Sequence, residues 1–411
     1  MLKASKPLGT LGLAAALATT AGCGVFGGDE EPASAESRLV EMINESARLE
    51  NELTSAENRI VRGCLEAQGH TVHDEYELGD WGAAEAADIT WGYSPHTGFL
   101  LDRDEAAEYG FGMWAESPEA VESGDADEYW AAQEEQWEEG DWGEEPDNSA
   151  FEALEPEAQY DWYVAYYGQE YADEYYGWAL DPEGASSFPG GDGTDEETES
   201  SGEGELEIGG DAYTEPKPGG CKLEMIEGLY GGVEAVEHDE EFDGGTETWT
   251  EWVYRPQSPE SASGHMWEDI ELAYTDSMID LQYEFTDCLA GAGHEGWEFD
   301  EYGSLPVWDY FAPLYWEDGD AGPRGFAMGT EAEAPELPAD VPADYEGRKA
   351  YEIQVALDFI ECGEELDYAA TSADAYEEAH VDAYAAIEED TYAWQEEMRE
   401  AISRAQDLID S

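Results

Sequence analysis

A short element that occurs twice constrains this fold more than any other feature of the chain. Cys64-Leu-Glu-Ala-Gln-Gly69-His70 and Cys288-Leu-Ala-Gly-Ala-Gly293-His294 share the pattern C-L-x-x-x-G-H. Each follows apolar residues spaced three and four apart, and glycine is the residue that best ends such a helix. One further cysteine follows each copy later in the chain. We therefore predict two related halves, each built on a helix that ends in this element.

The cysteines predict a disulfide framework. Four cysteines remain when Cys23 is set aside, and four cysteines allow three connectivities. Each half contains one cysteine of the repeated element and one later cysteine. Symmetry between the halves therefore predicts the pairs Cys64–Cys221 and Cys288–Cys362.

Two other states of these cysteines stay open. All four thiols can be reduced and buried, or Cys64 can bind a metal together with His70 and His73. The second copy has Trp297 where a counterpart of His73 would lie. Cysteines of exported proteins also oxidise readily. Both observations favour disulfides, so we predict no metal site and no cofactor.

The N-terminus has the order of a bacterial export signal. Lys3 and Lys6 precede a run of small and apolar residues at 8–20, which ends in Thr-Ala-Gly-Cys23. This order is typical of a secretory signal peptide. The last four residues resemble the lipobox of bacterial lipoproteins, in which the cysteine is acylated and becomes the new N-terminus.

We therefore predict a signal peptide at 1–22, a lipid-modified Cys23 and a tether at 23–36. Acyl chains on Cys23 would hold the protein on the outer face of the cytoplasmic membrane, because two or more chains bind a bilayer stably. Plain secretion and an uncleaved anchor stay open. The apolar run is shorter than the about 20 residues that a membrane span needs.

The charge of the chain limits its partners. The sequence has 103 Asp and Glu against 15 Lys and Arg, a formal net charge of −88. Such a charge repels phosphate backbones, so nucleic acid is excluded as a partner. Hydrophobic residues make up 41% of the chain and aromatic residues 12%, which is more than disordered acidic chains contain. We predict a folded protein from a high-salt habitat, with cation binding as the alternative explanation of the acidity.

Long helices are predicted at both ends of the folded part. Apolar residues step by three and four over 39–60 and again over 376–408. No Pro or Gly follows Ser372, so the second helix is predicted to run about 36 residues, some 50 Å. We expect the two helices to pack as an antiparallel, coiled-coil-like pair.

The middle of the chain divides the two halves. Residues 185–220 are Gly, Ser, Asp, Glu and Pro with few apolar residues, which predicts a disordered acidic linker. The first half then covers 37–184 and the second 221–411, with the Cys221 helix packing back on the first half. Residues 246–254 alternate as a short strand would. The predicted fold is mainly α, with long acidic loops.

Several short motifs together resemble a family of exported proteins and lipoproteins of actinobacteria. The resemblance implies an α-rich fold with cystines and carries no established activity. It rests on the residues 64–70, 109–112, 148–168, 219–231, 288–294 and 351–362.

No catalytic motif stands out in the sequence. Ser261-Ala-Ser-Gly-His265 lacks the leading glycine of a nucleophile elbow, and no glycine-rich phosphate loop is present. Asp239, Glu241 and Asp243 imitate the start of a calcium loop, but position 12 of that loop is Thr250, not the required Glu. The many acids form pairs everywhere, so no carboxylate pair can be selected for glycoside hydrolysis. Tryptophan and tyrosine side chains that stack on sugars stay possible.

These observations predict a cell-envelope lipoprotein with a binding or structural role and no enzymatic activity. Its partners would be the membrane, through the lipid on Cys23, and cations or cell-wall components. The alternative is an extracytoplasmic enzyme that acts on cell-wall glycan or peptide through carboxylates. A deep cleft in which two acids converge among tryptophans would favour that alternative.

Overall fold

The fold is mainly helical, as predicted, with two disulfides and one small sheet. Residues 35–411 form a single compact unit. The computed structural model describes residues 34–73, 78–79, 85–138, 148–180, 213–242, 245–316 and 332–411.

Fourteen α-helices lie in the described ranges. The longest, α1, ends at the first repeated element, and α10 ends at the second. In chain order the helices are α1 Ala35–Gln68, α2 Arg103–Tyr109, α3 Pro118–Ser123, α4 Asp127–Glu138, α5 Ser149–Glu152, α6 Pro156–Tyr167, α7 Gln169–Tyr176, α8 Gly220–Tyr230, α9 Pro259–Ala262, α10 Met266–Ala292, α11 Val307–Tyr315, α12 Tyr345–Glu365, α13 Tyr368–Ala386 and α14 Glu388–Ile409.

A three-stranded sheet follows α8. Its strands are β1 (Tyr213–Thr214), β2 (Glu234–Phe242) and β3 (Gly245–Val253), in the order β1-β3-β2. β2 and β3 form an antiparallel hairpin, and β1 joins β3 in parallel. The alternation of Thr, Trp and Val predicts β3, whereas the acid-rich β2 was not predicted from the sequence.

The two terminal helices pack side by side, but they run parallel. Arg38 forms an ion pair with Glu388 at 2.7 Å, and Glu45 forms one with Arg399 at 2.6 Å. Residue numbers therefore rise together along the contact. The predicted antiparallel direction is wrong, because apolar spacing at three and four specifies a contact stripe and not the direction of the partner helix.

The predicted long C-terminal helix is also interrupted. α13 ends before Ile387, whose φ of −104° and ψ of 4° leave the helical range, and α14 begins directly after it. Three acids occupy the first turn of α14, where the helix dipole stabilises negative charge. The break places the first turn of α14 beside the N-terminal end of α1. From there both helices run in the same direction.

Buried side chains from both predicted halves share one core. Phe99 packs against Phe285 and Tyr368, with ring centroids 5.5 and 5.6 Å apart. A second buried cluster joins the C-terminal part of α1 to α6 and α8. The end of the predicted disordered linker is structured, because residues 213–220 run from β1 to the first residue of α8. The rest of that linker, 185–212, lies outside the described residues.

The start of α8 lies very close to the end of α6. The Gly219 N–H donates to the Tyr167 carbonyl at 2.6 Å. Gly220 has a left-handed φ of +52°, and a Cβ there would collide with the Ala165 carbonyl. Glycine is therefore required at this approach. In the described part of the chain, no helix has the length and apolar composition needed to cross a membrane.

Candidate functional site

The structure joins the cysteine pairs that the repeated element predicts. Cys64–Cys221 connects the end of α1 to the first turn of α8, and Cys288–Cys362 connects the end of α10 to the last turn of α12. Such bonds indicate an oxidising, extracytoplasmic compartment. Cys23, the predicted lipid site, lies outside the described residues.

The two repeated elements adopt the same conformation. In both copies the histidine N–H donates to the carbonyl of the leucine that follows the cysteine, and the glycine has a positive φ. These are the bonds of a helix that ends in a left-handed cap. The partner cysteines differ, because Cys221 begins its helix and Cys362 lies near the end of its helix. The two copies are therefore alike in the repeated element itself, but their disulfides join opposite ends of the partner helices.

The other residues considered from the sequence do not form a catalytic or metal site. Cys64 is engaged in its disulfide, and His73 contacts the Phe151 ring at 5.8 Å. His265 faces Glu268 at 3.2 Å, while Ser261 lies in the short helix α9. Across the described ranges, no group of three or more His, Cys, Asp or Glu side chains could hold a metal ion.

The segment that imitates a calcium loop is part of the β-hairpin. Asp239 lies in β2 opposite Thr248, and Thr250 lies in β3 opposite Glu237. Asp243 is outside the described residues. A strand in place of the helix that ends a calcium loop agrees with the exclusion drawn from the sequence.

A serine–histidine pair was missed from the sequence, yet it is not a nucleophilic site. His96 Nδ1 lies 3.0 Å from Ser372 Oγ, and the Tyr274 hydroxyl lies 2.9 Å from the same oxygen. Burial lowers the pKa of His96, which favours its neutral form. Ser372 is fully buried, so no substrate can reach its hydroxyl. His96 joins the turn Pro95–Gly98 to α13, and Tyr274 joins the same serine to α10.

The candidate site is a cavity of about 430 Å³ between α1, α9, α10, α13 and α14. This volume falls within the range of small-molecule sites, roughly 300–1,000 Å³. Small and aliphatic side chains of α1 form part of its wall. We call it the tryptophan pocket and define it by Glu50, Trp91, Glu260, Trp267, Tyr384 and Trp394.

Trp91 is held in the pocket wall by a tight turn. Asp88 Oδ1 accepts hydrogen bonds from the Thr90 N–H, the Thr90 hydroxyl and the Gly92 N–H, each at 3.0 Å. These bonds also lower the pKa of Asp88, the Gly92 bond having the largest effect. Trp91 itself has a φ of +56°, which is unfavourable for a residue with a Cβ. The turn thus fixes the backbone of Trp91, whose side chain is 50% exposed.

The other two tryptophans are fixed by contacts behind them. Trp267, which is 47% exposed, packs edge-on against the buried His380 ring, with centroids 5.9 Å apart. Burial lowers the pKa of His380. Trp394 is buried, and its Nε1–H donates to the Pro256 carbonyl at 3.1 Å. These two rings are therefore held in place by contacts within the chain.

Two glutamates contribute negative charge to this wall. Burial raises the pKa of Glu260, and repulsion from Glu50 raises it further. Desolvation also raises the pKa of Glu50, which is the more exposed of the two acids. The positive charge of Arg255 partly opposes that rise. Arg255 is itself bound to Glu57, with Nε–Oε1 at 2.9 Å. None of the described residues lining the pocket is basic, so its two carboxylates lack a direct basic partner there.

The pocket could not be found from the sequence. Its six defining residues come from five separate helices and one loop, spread from Glu50 to Trp394. The two acids are indistinguishable by type from the other acids of the chain. Tryptophan is frequent along the chain, with 15 residues, so nothing in the sequence groups these three.

Comparison with protein-family models, with curated proteins and with solved structures finds no match for this chain. The resemblance to exported actinobacterial proteins therefore stays a prediction.

Proposed function

We propose that this protein is a cell-envelope lipoprotein that binds a small molecule in the tryptophan pocket. The observation that carries the proposal is the aromatic wall of the pocket, in which Trp91 is kept at a positive φ by the Asp88 turn. Unfavourable backbone geometry that is held by surrounding bonds is concentrated at binding and active sites. Two half-exposed tryptophans beside a buried third provide a concave apolar surface.

The two acids of the pocket also bear on the enzymatic alternative. Two carboxylates among tryptophans are the arrangement expected of the enzymatic alternative. Glycoside hydrolysis, however, needs one protonated acid and one ionised carboxylate, whose pKa values the site moves apart. Desolvation is the largest effect on both Glu50 and Glu260, and it raises both pKa values. The smaller effects differ, because Arg255 lowers the pKa of Glu50 while Glu50 raises that of Glu260. The choice between binding and catalysis therefore does not follow from the two acids and is decided by experiment.

The binding proposal is tested by identifying the small molecules that co-purify with the protein from cell envelopes. Full-length protein is purified from intact envelopes, denatured, and its released small molecules are identified by mass spectrometry. We expect a compound that is released from the wild type and missing from a Trp91→Ala/Trp267→Ala variant. Trp130→Ala, an exposed tryptophan outside the pocket, is the matched control and should retain the compound. Identical compounds in all three preparations would refute the proposal.

The enzymatic alternative has its own test. Purified wild type and a Glu50→Gln/Glu260→Gln variant are incubated with isolated cell wall, and the soluble glycan and peptide fragments are quantified. The binding role predicts no fragments above the buffer control from either protein. Fragments released by the wild type and lost in the variant would establish the enzyme instead.

The anchor is tested at Cys23. The support for it is the order of Lys3, Lys6, the apolar run and Thr-Ala-Gly-Cys23, together with disulfides that suit an extracytoplasmic protein. Changing Cys23→Ser should move the protein from the membrane fraction into the medium. Membrane partitioning that is unchanged, with Lys3 and Lys6 still attached, would instead indicate an uncleaved anchor.

A further inference from the structure

The charge and shape of the tryptophan pocket specify a class of ligand. Resting on the proposed function, we infer that the pocket binds a small organic cation whose positive group is an alkylated ammonium. Aromatic faces attract such a group through their electron-rich π systems, and tryptophan does so most strongly. The alkyl groups bury apolar surface against the same rings.

The two glutamates distinguish this ligand from a neutral one. Glu50 and Glu260 repel each other across the pocket, and Arg255, the cation that acts on Glu50, is bound to Glu57. A cation placed between the carboxylates relieves the repulsion and stabilises both in their ionised form. A neutral sugar would stack on the rings but leave the two negative charges uncompensated.

The aromatic wall distinguishes the ligand from a simple metal cation. Sodium, calcium and magnesium prefer oxygen ligands and a firmly held water shell. Trp91, Trp267, Tyr384 and Trp394 present mostly carbon to the pocket, so an ion of that kind gains little from them. An alkylated ammonium is weakly hydrated and matches both the carbon surface and the charge.

The experiment compares choline with 3,3-dimethylbutan-1-ol, in which a carbon replaces the charged nitrogen. Each is titrated into the purified full chain at constant high NaCl, and saturation-transfer NMR gives the dissociation constants. We expect saturable binding of choline, with the neutral isostere weaker by about tenfold or more. Constant high salt suppresses diffuse attraction to the acidic surface.

Two variants separate the contributions of the ring and the charge. Trp91→Ala/Trp267→Ala keeps every acid and should weaken choline by about tenfold or more. Glu50→Gln/Glu260→Gln keeps every ring and should reduce the preference for choline over the isostere to the part that the rings supply. Trp130→Ala should bind choline as the wild type does. Circular dichroism and thermal unfolding confirm that each variant is folded.

Three results would overturn the inference. Equal affinity of the wild type for choline and the isostere would show that charge is not recognised. Choline binding that survives loss of Trp91 and Trp267 would show only diffuse attraction to acids. A neutral compound that co-purifies with the wild type and not with the Trp91→Ala/Trp267→Ala variant would support the proposed function. It would refute the inference that the ligand is an organic cation.

Discussion

Glu352 is fully buried on α12, and its carboxylate holds the glycine-rich turn that precedes α3. The Met113 N–H donates to one carboxylate oxygen at 2.9 Å, and the Tyr315 hydroxyl donates to the other at 2.7 Å. Bonds from the Trp114 and Phe111 N–H groups also favour the ionised form, but desolvation is the larger effect and raises the pKa of Glu352 to about 7. Glu352 therefore titrates near neutral pH inside the core.

The pKa of Glu352 makes a prediction about stability against pH. Its ordinary pKa is 4.5 and its folded value about 7, so between these values the folded protein holds more protons than the unfolded chain. The stability that Glu352 contributes is therefore present below the lower value and lost as pH rises through the higher one, at up to about 1.4 kcal/mol per pH unit. Because the Glu352→Gln variant cannot titrate at this position, its free energy of unfolding should rise relative to that of the wild type as the pH increases over this range.

Urea unfolding at several values between pH 4.5 and pH 8 measures the effect. Glu122→Gln, which removes an exposed glutamate on α3, is the control for the loss of one carboxylate. A constant difference between Glu352→Gln and the wild type would mean that the buried carboxylate does not change protonation in this range.

At the scale of elements, the direction of α14 relative to α1 is the clearest departure from sequence reasoning. Leu49 and Leu53 of α1 pack with Trp394 and Met398 of α14, as the apolar spacing indicates. Gln395 adds a bond to the Met42 carbonyl at 3.0 Å, which fixes the relative register. These contacts would occur at a different register, with different partners, in an antiparallel pair.

Cross-linking tests the parallel arrangement. Cysteines introduced as Arg38→Cys and Glu388→Cys should be joined by a short bismaleimide, because the native side chains form an ion pair at 2.7 Å. Arg38→Cys with Leu408→Cys is the matched control, since twenty residues of helix separate Leu408 from Glu388 by about 30 Å. Cross-linking of the second pair and not the first would restore the antiparallel arrangement.

The two disulfides make a second prediction at this scale. They close loops with sequence separations of 157 and 74 residues. The chain-entropy model gives upper estimates of about 5 and about 4.5 kcal/mol for such loops. Replacing Cys64 and Cys221 by serine, or Cys288 and Cys362 by serine, should each lower the free energy of unfolding by several kcal/mol.

Urea unfolding of both serine pairs measures that loss, and non-reducing peptide mapping of the wild type checks the connectivity. A loss below about 1 kcal/mol would mean that packing alone holds α8 or α12 in place. A peptide that links Cys64 to Cys288 or to Cys362 would contradict the pairing itself.

What could be predicted from the sequence depended on local signals. Gly69 and Gly293 mark helix ends by residue type, and the repeated cysteines imply their partners by symmetry. The break at Ile387 has no Gly or Pro, and the three acids that follow it are its local signal, one that an acid-rich chain conceals. The direction of α14 and the tryptophan pocket depend on tertiary packing, because Glu260 and Trp394 come together only after several helices have packed.

At the scale of the whole molecule, the excess of acids dominates. The chain has 103 acidic and 15 basic residues, so most carboxylates have no basic partner available. Among the described residues the arginine pairs are mostly exposed, such as Arg48 with Glu45 and Arg103 with Glu364. Exposed pairs of this kind contribute about 0–1 kcal/mol each. Mutual repulsion among the remaining acids therefore opposes the compact state.

Salt should relieve that repulsion. The Debye length falls from about 10 Å at 0.1 M to about 3 Å at 1 M, which screens carboxylates from their neighbours on the same surface. We expect the thermal unfolding temperature to rise between 0.1 and 1 M NaCl and to rise about equally in KCl, because screening depends on ionic strength and not on the identity of the ion. The rise should be steepest at the low end, where the Debye length shortens fastest. An unfolding temperature that is flat in both salts would mean that the acids are already neutralised by bound ions, and a rise confined to millimolar calcium would point to a specific metal site.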